Sequence, residues 1–253
     1  MKKMFALCLT LVLLLSACGP AAVGDPAVTT DAGTGDAVTT APQPMEITGI
    51  TVGEEITSLG GDSRKILRYP VAEGVGTETL NAQLKHHAEK VYAVHATGAL
   101  TMLDEGETFN YEVTSVEIKR FDEEILSFLC RAAYTSPVDG TEKQIVYTGN
   151  LNPETGESIA PEALVTDWGA LADLLRAGKS KLAWGSAELL EQMTWDDLLL
   201  QIKPAYDIYP AVCFGESGVE IGFEVLPMFG GTAGFTVTYA DAADCLAISA
   251  PRN

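Results

Sequence analysis

The stretch FNYEVTSVEIKRF, residues 109–121, decides the fold because it has the pattern of a long strand. Its apolar residues alternate with polar ones in two runs that are out of phase with each other: Phe109, Tyr111, Val113, then Val116, Ile118. A period of two is typical of a strand that buries one face. The change of phase near Ser115 predicts a β-bulge, in which one extra residue shifts the alternation.

Two more strand patterns follow at hairpin distance. EILSFLCRAAYTS, residues 124–136, comes after a turn at Asp122-Glu123. KQIVYTGNL, residues 143–151, comes after Val138-Asp139-Gly140. Asp-Gly between two such runs is a strong signal for a tight hairpin turn. The middle of the chain therefore predicts antiparallel sheet.

The flanking segments add strands and helices. Upstream, residues 46–57 and 65–73 alternate weakly, and Thr77 opens a helix that ends near Gly98. Downstream, Asp167, Ser186 and Thr194 are candidate helix caps, and Pro204 ends the last of these helices. Three strand patterns and a short helix then complete the chain: residues 209–214, 219–225, 235–240 and 241–247. Hairpins separated by helices predict an α+β fold, with antiparallel sheet packed by helices in two similar-sized halves of one compact unit.

The N-terminus has the three parts of a secretory signal. Lys2 and Lys3 precede an apolar run from Met4 to Leu14, which is too short to span a bilayer of about 30 Å. Leu15-Ser16-Ala17-Cys18 resembles the lipobox of bacterial lipoproteins. That resemblance implies cleavage between Ala17 and Cys18, and lipidation of Cys18 as the membrane anchor.

Four segments follow from these patterns: a signal peptide (1–17), a lipidated N-terminus and disordered tether (18–44), an N-terminal α+β subdomain (45–150) and a C-terminal one (151–253). The tether is rich in small and polar residues and lacks aromatic ones, so it cannot bury enough surface to fold. The expected location is the extracytoplasmic face of a bacterial membrane.

The chain is strongly acidic, with 16 Lys and Arg against 35 Asp and Glu, for a net charge of −19. Removal of the leader with Lys2 and Lys3 takes two positive charges and makes this −21. Such a surface repels nucleic acid, whose phosphates require cations from the protein. It attracts basic proteins or divalent cations, although solubility alone also explains it.

Three cysteines remain beyond the leader and the anchor: Cys130, Cys213 and Cys245. An odd set allows at most one disulfide within the chain, and three buried thiols are the alternative. No Cys-x-x-C motif or Cys/His cluster occurs, which argues against zinc.

No motif spells out a catalytic reaction. Gly215-Glu216-Ser217-Gly218 lacks the spacing of a hydrolase nucleophile elbow. The three histidines, His86, His87 and His95, lie on one predicted helix without metal-ligand spacing, so we expect no metal, no cofactor and no catalytic residue. Acidic pairs such as Asp196-Asp197 and Glu123-Glu124 are explained by a helix cap and a turn. Trp184, in a predicted loop, is the tryptophan without a structural explanation.

Three groups of residues resemble the extracytoplasmic domain of the RsiV anti-sigma factor family, which also precedes the PdaC peptidoglycan deacetylase domain. The resemblance spans about residues 66–247 and rests on the order of short motifs. They are Tyr69-Pro70 before Leu80-Asn81, the turn from Asn150 to Gly156, and Phe223-Glu224-Val225-Leu226-Pro227 before Gly231 and Phe235 to Tyr239. Asn152 replaces a common Asp, and Phe223 and Met228 replace favoured tyrosines.

The resemblance implies an envelope-facing binding or sensing module that is not an enzyme. Since the family's outer domain binds lysozyme, the expected ligand is a cell-wall component or a cationic protein such as lysozyme. The ligand patch is predicted at Trp184, Met228 and Phe229. The alternative is an enzyme that acts on cell-wall glycan, with two carboxylates brought together by the fold. A deep cleft with two facing acids near Trp184 would favour that enzyme.

Overall fold

The computed structural model describes residues 45–103, 107–137, 140–202 and 210–252, with two sheets in that part of the chain. The first sheet contains β1 (Glu46–Gly60), β2 (Ser63–Val75), β3 (Asn110–Phe121), β4 (Leu126–Thr135) and β5 (Glu142–Leu151), in that order. The second contains β6 (Ser180–Trp184), β7 (Ala211–Phe214), β8 (Gly218–Glu224) and β9 (Thr232–Thr238), in the order β6-β9-β8-β7. The predicted α+β fold is confirmed.

Helices are distributed unequally between the two halves. The first sheet is packed by one long helix, α1 (Glu78–Leu100). The second half contains short ones: α2 (Pro161–Leu164), α3 (Trp168–Arg176), α4 (Leu189–Gln192), α5 (Trp195–Leu199) and α6 (Tyr239–Ala242). Among the residues that the structure describes, two 3₁₀ turns accompany them, Pro227–Phe229 and Ala243–Cys245.

Strand β3 behaves as its alternation predicts. Its register with β4 shifts between Val113 and Ser115, which is the expected bulge. Strands β4 and β5 pair antiparallel, while the predicted turn residues Val138 and Asp139 lie outside the described ranges. One contact departs from the antiparallel rule, because β2 and β3 are parallel from Arg64 to Ile66. Helix α1 makes the crossover that parallel neighbours require.

Each half has its own apolar core. In the first half, Leu80 and Leu84 of α1 pack on the face of the sheet that contains Leu67, Tyr111 and Phe128. In the second half, the alternate residues of β8 and β9 face the helices, as predicted. These residues are fully or almost fully buried: Val219, Ile221, Phe223, Phe235 and Val237. Burying one large apolar side chain stabilises the folded state by about 1.5–3 kcal/mol, so these two cores are the main source of stability.

Asn81 hydrogen-bonds the part of β2 that lies beyond the contact with β3. Its side-chain amide donates to the Ala72 carbonyl at 2.9 Å, and its Oδ1 accepts from the Ala72 amide at 2.7 Å. The amide group therefore replaces a neighbouring strand, and it fixes the first turn of α1 against β2.

The turn after β5 packs on that same end of α1. Asn152 Oδ1 accepts from the amides of Glu154 and Thr155 at 2.8 and 3.1 Å, which an aspartate would do equally well. Gly156 has φ +72°, and a Cβ there would lie 3.1 Å from the Leu80 Cα. Glycine is required at this position for both conformation and space.

Helix caps agree with the sequence at two of three positions. Asp167 accepts from the Ala170 amide at 2.9 Å, and Thr194 forms a capping box with Asp197. Ser186 does not cap α4, because the N-cap position of that helix is Glu188. The Ser186 hydroxyl accepts from the Glu188 backbone amide instead. Pro204 lies outside the described residues.

Two further elements differ from the sequence prediction. Trp184 ends strand β6 rather than lying in a loop, because Ser180–Trp184 pairs with β9 although most of it is exposed. Tyr239 begins α6 instead of continuing β9. Its hydroxyl donates to the Gly215 carbonyl at 2.9 Å, and this contact turns the chain away from the sheet.

The three cysteines in the described part of the chain are buried free thiols, which resolves the alternative that the sequence left open. Burial raises the pKa of all three, that of Cys130 to about 12. A thiol that stays protonated is a poor nucleophile, so these residues act as small apolar side chains.

The predicted leader and tether, with Ala17 and Cys18, lie outside the described residues. Within the described ranges, none of the helices has the length and apolar character that crossing a membrane would need.

Candidate functional site

An open groove with a volume of about 360 Å³ lies where the two halves meet. Helix α1 contributes His95, and the ends of β4 and β5 contribute Tyr134 and Glu142. The end of β8 contributes Glu224, and the segment between β8 and β9 contributes Pro227. We call it the His95 groove. Its size falls within the range of pockets that hold small ligands or single side chains.

The imidazole of His95 forms one wall. Its ring is tilted by 36° over the ring of Tyr134, with 5.8 Å between the centroids. Partial burial lowers the pKa of His95, although the negative charge of Glu224 opposes this. The imidazole is therefore neutral at neutral pH and offers one donor and one acceptor.

Glu224 is positioned through its main chain. The Gln201 side chain donates to the Glu224 carbonyl at 2.7 Å and accepts from the Glu224 amide at 3.0 Å. This pairing fixes the end of β8 and leaves the carboxylate at the exposed rim. On the opposite side, Glu142 Oε1 accepts from the Gln144 amide at 2.5 Å. Two carboxylates and one cationic side chain, that of Lys143, thus line the groove beside the aromatic ring of Tyr134.

The segment after β8 supplies an exposed apolar rim. Leu226 is 53% exposed and Met228 is 70% exposed, while Phe229 is 4% exposed and packs in the core of the second half. Gly230, with φ +92°, ends the 3₁₀ turn that directs these side chains to opposite sides. Of the neighbouring pair predicted as a ligand patch, Met228 faces solvent and Phe229 faces the core.

Trp184 lies outside the groove, on the face of the second sheet that contains Gly222 and Gly234. Its indole covers Gly222 and Gly234, where a Cβ would lie 2.9 and 2.2 Å from the ring. On its other side, the guanidinium of Arg131 from β4 lies 5.1 Å from the ring centroid, a cation–π contact. The two glycines and the arginine explain the tryptophan as a contact between the two sheets.

Two acids lie close together beside Arg131, whose Nε is 3.4 Å from Glu117 Oε1. Lys119 Nζ is 3.0 Å from Glu117 Oε2 and 3.0 Å from Glu220 Oε2, so the two oxygens are within 6.0 Å of each other. Burial alone would raise the pKa of Glu117, but Lys119 and Arg131 outweigh it and hold that pKa below its usual range. Both carboxylates contact the same ammonium, that of Lys119.

The structure places the histidines and the acidic pairs in different environments. Among the described residues no group of three or more His, Cys, Asp or Glu could hold a metal ion. His86 is exposed, while His87 is largely buried and its Nε2 lies 3.0 Å from the Thr148 carbonyl. As predicted, Asp197 belongs to a helix cap; its neighbour Asp196 pairs with Arg176 at 2.9 Å.

A larger open pocket, about 580 Å³, lies beside Phe121 at the start of β1. It is lined by Met45 and Ile47 together with Glu123 and Glu154 of two turns. Asp122 also lines this pocket, and its Oδ2 forms an ion pair with Arg120 Nε at 2.5 Å. Because the His95 groove adds an imidazole and an exposed apolar rim, we regard the groove as the better candidate.

Sequence reasoning missed most of this site. His95, Tyr134 and Glu142 carry no motif, and Gln201 lies in a segment that was predicted only as helix. The one available signal was the Phe223–Pro227 motif, since its Glu224 and Pro227 line the groove. The partners across the groove are brought together by sheet register, which the sequence does not encode locally.

Two solved structures resemble the fold of this chain. A member of the DUF3298 family from Bacteroides fragilis has a TM-score of 0.48 and 10% identity, covering 81% of this chain and 94% of its own. A DUF3298 family protein from Pseudomonas aeruginosa has a TM-score of 0.48 and 9% identity, covering 83% and 99%. No family model and no curated protein matches the sequence. Likenesses at this level carry no argument about function.

Proposed function

We propose that this chain is a bacterial cell-envelope lipoprotein, anchored through a lipid on Cys18, whose folded part binds a ligand without catalysis. The His95 groove is the observation that supports the binding role. It combines the carboxylates of Glu142 and Glu224 with a neutral imidazole, and the exposed side chain of Met228 belongs to the 3₁₀ turn whose Pro227 lines the groove. Such a surface suits a cationic ligand with an apolar part.

A cationic protein such as lysozyme is the proposed partner, with a basic cell-wall component as the other ligand class. The net charge of −19 steers basic partners toward the surface over about one Debye length. The same charge disfavours nucleic acid. The resemblance to the outer domain of the RsiV family is consistent with this choice.

The glycan hydrolase alternative has one observation in its favour, the close acids Glu117 and Glu220. A general acid for glycoside cleavage needs a raised pKa. The pKa of Glu117 is instead lowered, and Lys119 occupies the space between the two carboxylates. These features favour an ion-pair network over a hydrolase pair at this position.

The binding role can be tested by titrating the full chain with lysozyme at low and at moderate salt. We expect binding that weakens as salt rises, because screening reduces the attraction of opposite charges. Glu224→Gln and Met228→Ser should each weaken binding by about fivefold or more, since they remove the rim charge and the rim contact. Glu162→Gln, on exposed α2, is the matched control for charge.

Absence of lysozyme binding at low as well as moderate salt would reject the lysozyme partner. Equal loss from Glu224→Gln and Glu162→Gln would reject the groove as the site, since both changes remove one charge. The anchor is tested separately by mass spectrometry of the mature N-terminus. We expect a diacylglycerol-modified Cys18 as the first residue, and an unmodified or differently cleaved terminus would reject the lipoprotein role.

A further inference from the structure

The edge strands of the two sheets are not equally protected. Strand β7 is an edge of the second sheet, and side chains from the first sheet bond its outward backbone groups. Asn150 Nδ2 donates to the Val212 carbonyl at 2.8 Å, and Thr148 Oγ1 accepts from the Val212 amide at 3.1 Å. Ser127 Oγ accepts from the Phe214 amide at 2.8 Å. These bonds leave little of β7 for another strand.

Two more edges are short, charged or bridged. Strand β6 has five residues and carries Lys181. Strand β5 carries Lys143, and its end at Leu151 forms a bridge with Ser158. Short length and lysine are common devices that prevent an edge from pairing with another chain.

Strand β1 lacks these devices. It has 15 residues, EITGITVGEEITSLG, with no Lys, Arg or Pro. It pairs with β2 on one side, and no strand in the described part of the chain pairs with its other side. Val52 and Ile56 on one face are 50% and 64% exposed. A row of backbone donors and acceptors is thus available beside apolar side chains.

The strand is also held rigidly from behind. Its pairing with β2 covers nearly its whole length, from Glu46 opposite Val75 to Gly60 opposite Ser63. Two ion pairs fix its centre, Glu54 with Arg68 at 2.7 Å and Glu55 with Lys85 of α1. A preformed edge loses little conformational entropy when it gains a neighbouring strand.

We propose that β1 binds an extended basic segment of a partner protein as an added antiparallel or parallel strand. The charged residues of β1 are all acidic. Glu54 and Glu55 are held in the ion pairs with Arg68 and Lys85, so the attraction for a basic segment comes from Glu46 and from the net charge of −19 of the whole chain. A strand that alternates basic with β-branched residues complements both the charge and the exposed face. A second copy of the chain is disfavoured, because each copy has a net charge of −19 and the two would repel each other.

This inference rests on the proposed function in one respect, that the partner is cationic, but it assigns a different surface. A suitable probe is a fluorescent peptide of about ten residues that alternates Lys and Thr, which matches the usual length of a strand. Its control is the same peptide with N-methyl groups on two adjacent central amides. Because adjacent amides point to opposite edges, this removes a donor from each edge and leaves the charge unchanged.

We expect the full chain to bind the parent peptide, and the N-methylated peptide about tenfold more weakly. Amide exchange in residues 46–60 should slow when the parent peptide binds, because their outward donors become hydrogen-bonded. Val52→Lys with Ile56→Lys should weaken binding by about tenfold. Val94→Lys with Met102→Lys adds the same charge at side chains that are 71% and 61% exposed, and should have a clearly smaller effect.

Equal binding of the two peptides, or equal effects of the two double variants, would overturn the proposal in favour of general charge attraction. Peptide-independent dimers that disappear in the Val52→Lys, Ile56→Lys variant would overturn it in favour of a second copy. Glu224→Gln separates this inference from the groove. It should weaken lysozyme binding and leave peptide binding unchanged, so that either surface can fail without the other.

Discussion

Strands β7 and β1 are both sheet edges, and the chain treats them in opposite ways. At β7, three side chains of the first sheet bond the outward backbone groups, and Ser127 and Asn150 are buried in doing so. At β1, which has 15 residues, no strand in the described part of the chain pairs with the outward edge. The same element therefore joins the two halves in one place and offers a binding surface in the other.

The comparison teaches that side chains can complete a sheet edge. Ser127 Oγ donates to Asn150 Oδ1 at 2.7 Å, so the two residues that bond β7 also bond each other. A buried polar network of this kind stabilises when every member is satisfied and destabilises strongly when one is lost. Edge protection at β7 is thus also the seam between the two halves.

The largest expected effect comes from breaking that seam. Asn150→Ala removes both bonds of the amide and leaves the Val212 carbonyl and the Ser127 hydroxyl buried without it. We expect the free energy of unfolding to fall by about 3 kcal/mol. Urea denaturation of the full chain measures it, with Gln144→Ala as an exposed amide on the same strand. Equal losses in the two variants would contradict the role of the network.

A smaller effect is expected where the sheets meet through Trp184. In Gly234→Ala the new methyl group would lie 2.2 Å from the indole, so the ring must move away from Arg131. We expect a loss of about 2 kcal/mol together with a change in tryptophan fluorescence. Gly49→Ala is the control, since a Cβ there would have Glu73 Oε2 as its neighbour at an ordinary 3.5 Å. If Gly234→Ala is as stable as the control, the indole is not held in place.

The pH dependence of stability tests the β7 edge through His87, which contacts strand β5. His87 lies against the Thr148 carbonyl, and the Thr148 hydroxyl bonds β7. Burial lowers the pKa of His87 in the folded chain, whereas the unfolded value is about 6.5. The unfolded chain therefore binds the proton first. Stability should fall as pH drops below about 6.5, by up to about 1.4 kcal/mol per pH unit, until the folded pKa is reached.

This dependence is isolated by comparing the wild type with His87→Gln between pH 7.5 and 5. As pH falls, the wild type should lose more unfolding free energy than His87→Gln does. His86→Gln, an exposed neighbour on the same helix, should follow the wild type. A wild-type curve parallel to that of His87→Gln would show that the imidazole does not control stability.

The smallest effect is expected at the open edge. Val52→Lys with Ile56→Lys changes two exposed side chains that no core contact requires. The free energy of unfolding should change by no more than about 0.5 kcal/mol. A clear loss in urea denaturation would mean that the outward face of β1 is packed, and would remove the contrast with β7.

Much of the fold follows from local patterns. The alternation of residues 109–121, the phase slip at Ser115 and the caps at Asp167 and Thr194 each express a contact within a few residues. Strand β6 escaped this reasoning, because its exposed residues show no alternation and its pairing with β9 is decided by distant sequence. The parallel contact of β2 with β3 was also hidden, since it spans only three residue pairs.

The candidate site was less accessible to sequence. Met228 was predicted in a ligand patch and is exposed beside the groove, but its neighbour Phe229 turns into the core because a single 3₁₀ turn separates the two directions. Trp184 was noted for lack of an explanation. The explanation required Gly222 and Gly234, which become neighbours only through the β8–β9 register. Long-range register is what a single sequence does not supply.

The buried guanidinium of Arg120 has a practical consequence for anyone who shortens this protein. It donates to the Ser249 carbonyl at 2.6 Å, to the Tyr239 hydroxyl at 3.1 Å and to two carboxylates of the β3–β4 turn. The last residues look dispensable, yet they complete the shell of an ion that is 5% exposed. Expression designs that remove Ser249 would leave the buried guanidinium of Arg120 without one of its hydrogen-bond acceptors.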